Sequence, residues 1–175
     1  MNTLVKVTST TLLIDAFSRV REVVHEAVSG LGRAELSYRI GNRGNSMAWL
    51  VWHLTRIQDD HIAEVAELEQ VWTAAGWAAR FDLPFGVAAT GYGHSDAEVA
   101  AVTAAAPDLL GYHDAVFDQT CRYLATIEEA DLSRVVDRSW DPPVTLAVRL
   151  ISVISDDLQH AGQAAFLRGV VQRRC

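Results

Sequence analysis

The feature that most constrains this chain is the spacing of its apolar residues, which recur at three- and four-residue steps over four long stretches and nowhere keep up a strict alternation. That period lines one face of an α-helix with apolar side chains. The first stretch, from about Thr8 to Val28, carries Leu12, Ala16, Val20, Val23 and Ala27 and stops before Gly30 and Gly32. The second follows the cap signal Asn45-Ser46 and carries Met47, Leu50, Leu54, Ile57, Ile62 and Val65 towards Val71. Ser95 with Glu98 spells a capping box for a short helix, and Pro107 suits the first turn of a longer one reaching about Ile127. The fourth stretch, from Thr145 to Gly169, has Leu146, Leu150, Ile154, Leu158, Ala161 and Ala165 as its stripe. Between them, Trp72 to His94 mixes glycines, aromatics and a proline without a steady period and reads as a long ordered loop, and DRSWDPPV reads as a turn region. The expectation is an all-α fold, a four-helix bundle with a long loop between the second and third long helices, in one domain over residues 1–175. Such a bundle can direct side chains from facing helices into one interior site.

Charge narrows the choice of partner. The formal net charge is −7, so the chain lacks the positive field that draws phosphate backbones or anionic lipid, and neither nucleic acid nor membrane is expected to bind it. The run MNTLVKVTSTTLLIDAF interrupts its apolar residues with Thr, Ser and Lys and holds no compact signal segment. No apolar run approaches the ~20 residues of a membrane span, and a cytoplasmic location is expected. The two cysteines, Cys121 and Cys175, are not expected to form a disulfide.

One constellation points to chemistry. Asp156 stands four residues before His160, so both side chains leave one helix face a turn apart. Imidazole and carboxylate are ordinary ligands of zinc and related divalent ions, and a catalytic site commonly supplies three protein ligands and leaves a fourth position open. The third candidate is His53, set among Trp49, Leu50, Val51, Trp52 and Leu54, where a buried polar ring needs a partner. Asp157 competes with Asp156, but on a helical wheel it falls nearer the Leu150, Ile154 and Ala161 stripe, whereas Asp156 stacks on His160. Spacing alone leaves open the reading in which His53 and His160 are hydrogen-bonded core residues.

The segments WHLTRIQDDH, from Trp52, and DxxxHAGQ, from Asp156 to Gln163, resemble the DinB-like (damage-inducible) superfamily, particularly the actinobacterial group that includes the helical domain of mycothiol-dependent maleylpyruvate isomerase. The resemblance spans essentially the whole chain. It implies a metal site made by His53 and by a ligand pair four residues apart on the last helix. Here Asp156 stands where that pair often starts with histidine, Ala161 replaces an arginine, and Gly162-Gln163 is kept. The resemblance further implies a divalent metal, zinc before nickel, iron or manganese, and mycothiol as co-substrate. It also implies a homodimer, as do the apolar residues of the first helix. Isomerase activity is not expected, because the chain has no room for that enzyme's additional C-terminal domain.

The other candidates are weaker. His61 lies about 12 Å along the helix from His53, too far for the same ion, and reads as a surface or supporting residue. Glu22 and His25 form half of a di-iron motif whose second half is absent. His94 and His113 receive no role. Asp59 and Asp60 are expected on the hydrated face, and the resemblance implies a supporting role for Asp60 behind a ligand. Trp77, Phe81, Phe85 and Tyr92 are expected to fold over the bundle mouth as an apolar pocket wall. The functional expectation is a metal-dependent transferase joining a low-molecular-weight thiol to an electrophile. The alternatives are a metal- or ligand-binding stress-response bundle without turnover and a purely structural helical module.

Overall fold

The computed structural model describes residues 7–174. The reading of the N-terminal run therefore lies partly outside the described residues, and Cys175 lies wholly outside them; Cys121 is a free thiol. Helix α1 (Ser9–Val28) opens on Thr8, whose hydroxyl accepts the N–H of Thr11, and stops before Gly30, which takes φ +78°. A short α2 (Arg33–Leu36) and a 3₁₀ turn (Ile40–Asn42) lead to α3 (Met47–Ala66), capped by the Ser46 hydroxyl on the N–H of Trp49.

Here α3 ends sooner than its apolar pattern suggests. Glu67 turns left-handed at φ 55°, and the chain restarts as α4 (Val71–Ala74) and α5 (Trp77–Phe81) inside the expected loop. Next come α6 (Asp96–Ala101), α7 (Ala106–Leu124) and a 3₁₀ turn (Glu129–Ser133). The expected turn region is bracketed by a two-stranded antiparallel ribbon, β1 (Val135–Asp137) with β2 (Val144–Thr145), which feeds α8 (Leu146–Gln172).

The four long helices α1, α3, α7 and α8 make the bundle, and their buried faces form two apolar clusters. One joins Leu50 and Leu54 of α3 with Val24, Tyr112, Val116, Ala164 and Leu167. The other joins Ile62 and Val65 with Phe17, Leu124, Leu146 and Leu150. The start of α3 thus packs with the end of α8 and the end of α3 with its start, so the two helices run antiparallel. Each fully buried aliphatic side chain in these clusters contributes about 1.5–3 kcal/mol. Between the clusters the contact between α3 and α7 turns polar: Gln58 donates to Thr120 at 2.8 Å, and the His113 ring meets the Thr55 hydroxyl at 3.2 Å.

Asp59 corrects the expectation of a hydrated face. It is buried, and its carboxylate accepts the backbone N–H groups of Val71 (2.9 Å) and Trp72 (2.8 Å) together with the Tyr112 hydroxyl (2.8 Å). It therefore caps α4 from another helix. Asp60 accepts from the Gln70 amide at 2.7 Å. No helix of the described residues is long and apolar enough to cross a membrane.

Candidate metal centre

The antiparallel packing of α3 on α8 brings His53 against His160, ring centroids 4.7 Å apart and edge to face. Asp156 lies one turn before His160, and one potential ligand atom from each of His53, Asp156 and His160 lies within 4.8 Å of the others. All three expected residues are brought together, although they come from distant parts of the chain.

Hydrogen bonds fix what each group can offer. Nδ1 of His53 lies 2.5 Å from the carbonyl oxygen of Thr90, and Nδ1 of His160 lies 2.9 Å from that of Asp156. A carbonyl oxygen only accepts, so both Nδ1 atoms carry the proton and both Nε2 lone pairs stay available. This is the arrangement by which metal-binding histidines are oriented. The Asp156 Oδ2 atom sits 3.3 Å from Nδ1 of His160, but that nitrogen directs its proton to the Asp156 carbonyl, and Oδ2 is buried without a hydrogen-bond partner. Two free imidazole lone pairs and one unsatisfied carboxylate oxygen form a donor set suited to a divalent ion.

The electrostatics of the two rings differ. Burial pushes the His53 imidazole below its usual value, against the pull of the Thr90 carbonyl, with His160 adding to the lowering. Burial alone would raise the Asp156 carboxyl, but His160, His53 and His61 together hold it below the usual carboxylate range. His160 moves up in turn: burial opposes its charge, but the Asp156 side chain and carbonyl outweigh burial.

Asp157 points the other way. It is fully buried, neither carboxylate oxygen has a partner, and burial followed by the charge of Asp156 drives it well above its usual value. The wheel position next to the apolar stripe had placed it correctly.

Several neighbours differ from expectation. Trp49 stacks on the His53 ring at 4.6 Å and donates its indole N–H to Nδ1 of His94 at 3.2 Å. His94, expected to have no role, therefore packs over the site, stacked on Trp52 and against Phe85. The loop signal hid it, since no periodicity marks a residue held by aromatic contacts. Gly91, at φ +101°, passes so close that a Cβ there would lie 2.6 Å from Nδ1 of His53. Behind the loop, the fully buried Arg56 donates to the Ala89 carbonyl at 3.2 Å and to Gln70 and Tyr112.

The expected pocket wall is not formed. Trp77 and Phe81 pack on Tyr112 of α7 and Tyr92 is 92% exposed; Phe85 alone stays near the site, through His94. His61 is partly buried and meets Arg149 at 3.3 Å, and that arginine is also bound to Asp137. His25 pairs with Asp114 at 2.8 Å rather than with Glu22, which removes the di-iron half-motif. His113 is buried in the α3 and α7 contact.

Together, the bundle and the paired histidine helices define a DinB-like protein. A crystal structure of a conserved protein from Enterococcus faecalis shares this fold: it is 32% identical, with a TM-score of 0.88, and the match covers 95% of this chain and 98% of that one. The chain belongs to the mycothiol-S-transferase family, whose model matches residues 12–172. No curated protein matches it.

Proposed function

We propose that the chain is a metal-dependent thiol S-transferase in which His53, Asp156 and His160 hold one divalent ion, zinc first, and mycothiol is the thiol joined to an electrophile. The observation that carries this reading is the pair of imidazoles on antiparallel helices, each anchored through Nδ1–H to a carbonyl, beside the unsatisfied Oδ2 of Asp156. The family supports the thiol.

A bound divalent ion supplies a position where a thiol ionises near neutral pH. The residues supply the rest. Two neutral imidazoles and one carboxylate would bring a single negative charge, which would leave one positive charge of a dication uncompensated and favour an anionic sulfur beside them. Trp49, stacked on His53, walls one side of the site with an apolar face and keeps water from that side. The Asp156 side chain is about one-third exposed, so the thiol proton leaves to solvent along α8. The sulfur lone pair then forms the new bond to carbon, and the leaving group departs with its bonding pair.

The test is to load the purified protein with zinc and follow mycothiol consumption with monochlorobimane. Transfer well above the protein-free rate, lost in His53→Ala and His160→Ala, is expected. One zinc per chain without transfer across several electrophiles would instead mark a metal-binding bundle without turnover.

A further inference from the structure

A cavity of about 450 Å³ opens where α3 begins and α8 approaches its end. That volume lies in the range of small-molecule sites. Ile40, Leu50, Phe166 and Leu167 give it apolar walls. Its polar side chains are the amides of Asn45, Gln159 and Gln163, and none of the described residues lining it is charged.

Its position relative to the ligands follows from helix geometry. Leu50 precedes His53 by three residues and Gln163 follows His160 by three, each a displacement of about 5 Å along its helix. Because α3 and α8 run antiparallel, both displacements point the same way, and the cavity lies on that side of the ligand cluster, with Gln159, the neighbour of His160 in sequence, on its wall. Phe166 and Ile40 are 65% and 45% exposed, so apolar surface stands ready to be covered by a ligand.

We propose that this cavity holds the electrophilic co-substrate, and that this co-substrate is an uncharged molecule with an apolar alkyl or aryl body; the proposal rests on the transferase reading above. A charged ligand would find no counter-ion on these walls, and a polyhydroxylated one would leave hydroxyls unsatisfied against Leu50, Phe166 and Leu167. The thiol's polar body is thereby left to the solvent-open side near Asp156. With an aryl or alkyl halide the thiolate sulfur forms the C–S bond, and halide leaves with the bonding pair.

Gly162 gives the test. It lines the cavity, and a Cβ added there meets nothing within 4 Å. Gly162→Leu fills the space while raising helix propensity, so the variant keeps its fold. Two measurements are made on full-length, zinc-loaded protein. In fluorescence titration with the neutral probe N-phenyl-1-naphthylamine, the wild type binds, and G162L binds at least tenfold more weakly. In mycothiol transfer, the ratio of the KM for 1-chloro-2,4-dinitrobenzene to that for the smaller iodoacetamide rises at least tenfold in G162L. Equal probe affinity in the two proteins, an unchanged KM ratio, or a rise confined to the KM for mycothiol overturns the assignment. So does a dimer in sedimentation that excludes the probe and that G162L dissociates, which makes the cavity an interface between copies. Absence of transfer in the wild type sinks the transferase reading and the electrophile's role together, whereas transfer with an unmoved KM ratio sinks the electrophile assignment alone.

Discussion

Gly91 and His53 stand so close that no side chain fits between them: a Cβ on Gly91 would lie 2.6 Å from Nδ1 of His53, the atom whose proton the Thr90 carbonyl accepts. The 86–94 loop thus orients this imidazole for whatever its Nε2 binds. Gly91→Ala is expected to push the ring off its carbonyl and to weaken zinc binding about 10- to 100-fold, the cost typical of losing an orienting partner. Gly93→Ala is the control. Its φ of +73° strains an alanine in a similar way, but a Cβ there meets nothing within 4 Å. Competition titration with a zinc chelator checks both, and equal losses in the two variants would leave Gly91 with only a general loop role.

The two adjacent aspartates are expected to respond in opposite ways. Asp156→Asn removes the carboxylate charge facing both histidines and lowers zinc affinity. Asp157→Val removes a fully buried carboxyl with two unsatisfied oxygens, keeps zinc binding, and stabilises the fold by about 1–3 kcal/mol. Metal stoichiometry with denaturant unfolding of each variant decides the matter; loss of zinc in the Asp157 variant would reverse the assignment.

His113 gives the fold an acid sensitivity. The Thr55 hydroxyl spends its proton on the Val51 carbonyl, so it accepts from Nδ1–H of His113 and leaves Nε2 of that ring buried without a partner. Burial brings the imidazole down to about 4. Since the unfolded chain takes up this proton near pH 6.5, the folded state loses stability as pH falls from about 6.5 to about 4, on the order of 3 kcal/mol. Above pH 6.5 the ring is neutral in both states and the effect vanishes. Urea unfolding of the wild type and of His113→Phe at pH 7.5 and pH 4.5 is the check: the wild type should lose more stability between the two pH values than the variant, and parallel losses would refute the assignment.

Arg56 and Asp59 are buried together, 3.6 Å apart, and Asp59 also caps α4. Asp59→Ala therefore strands a buried guanidinium and frees two backbone N–H groups. The expected cost is about 3–5 kcal/mol in thermal or urea unfolding. A cost below about 1 kcal/mol would show that water replaces the carboxylate.

The long helices were legible because a face buried along its whole length writes its period into the sequence, as Leu146 to Ala165 do on α8. Helices α4 and α5 span only four and five residues, too short to show a period, so they read as loop. The different positions of Asp156 and Asp157 were legible for the same reason, the wheel placing one residue beside His160 and the other in the core. Asp59 was misread because its burial depends on capping Val71 and Trp72, N–H groups a dozen residues away that no helical wheel contains. His94 and Gly91 were missed because their roles are contacts between a loop and α3, set by tertiary packing alone.

The most direct test of the site is zinc-edge X-ray absorption on protein carrying one zinc per chain, before and after mycothiol is added. The expected spectrum shows two imidazole nitrogens and light oxygen donors at about 2.0–2.2 Å, with one light atom replaced by sulfur at about 2.3 Å when the thiol is present. A spectrum that fits fewer than two imidazoles, or that acquires no sulfur, would contradict a thiol-binding centre built from His53, Asp156 and His160.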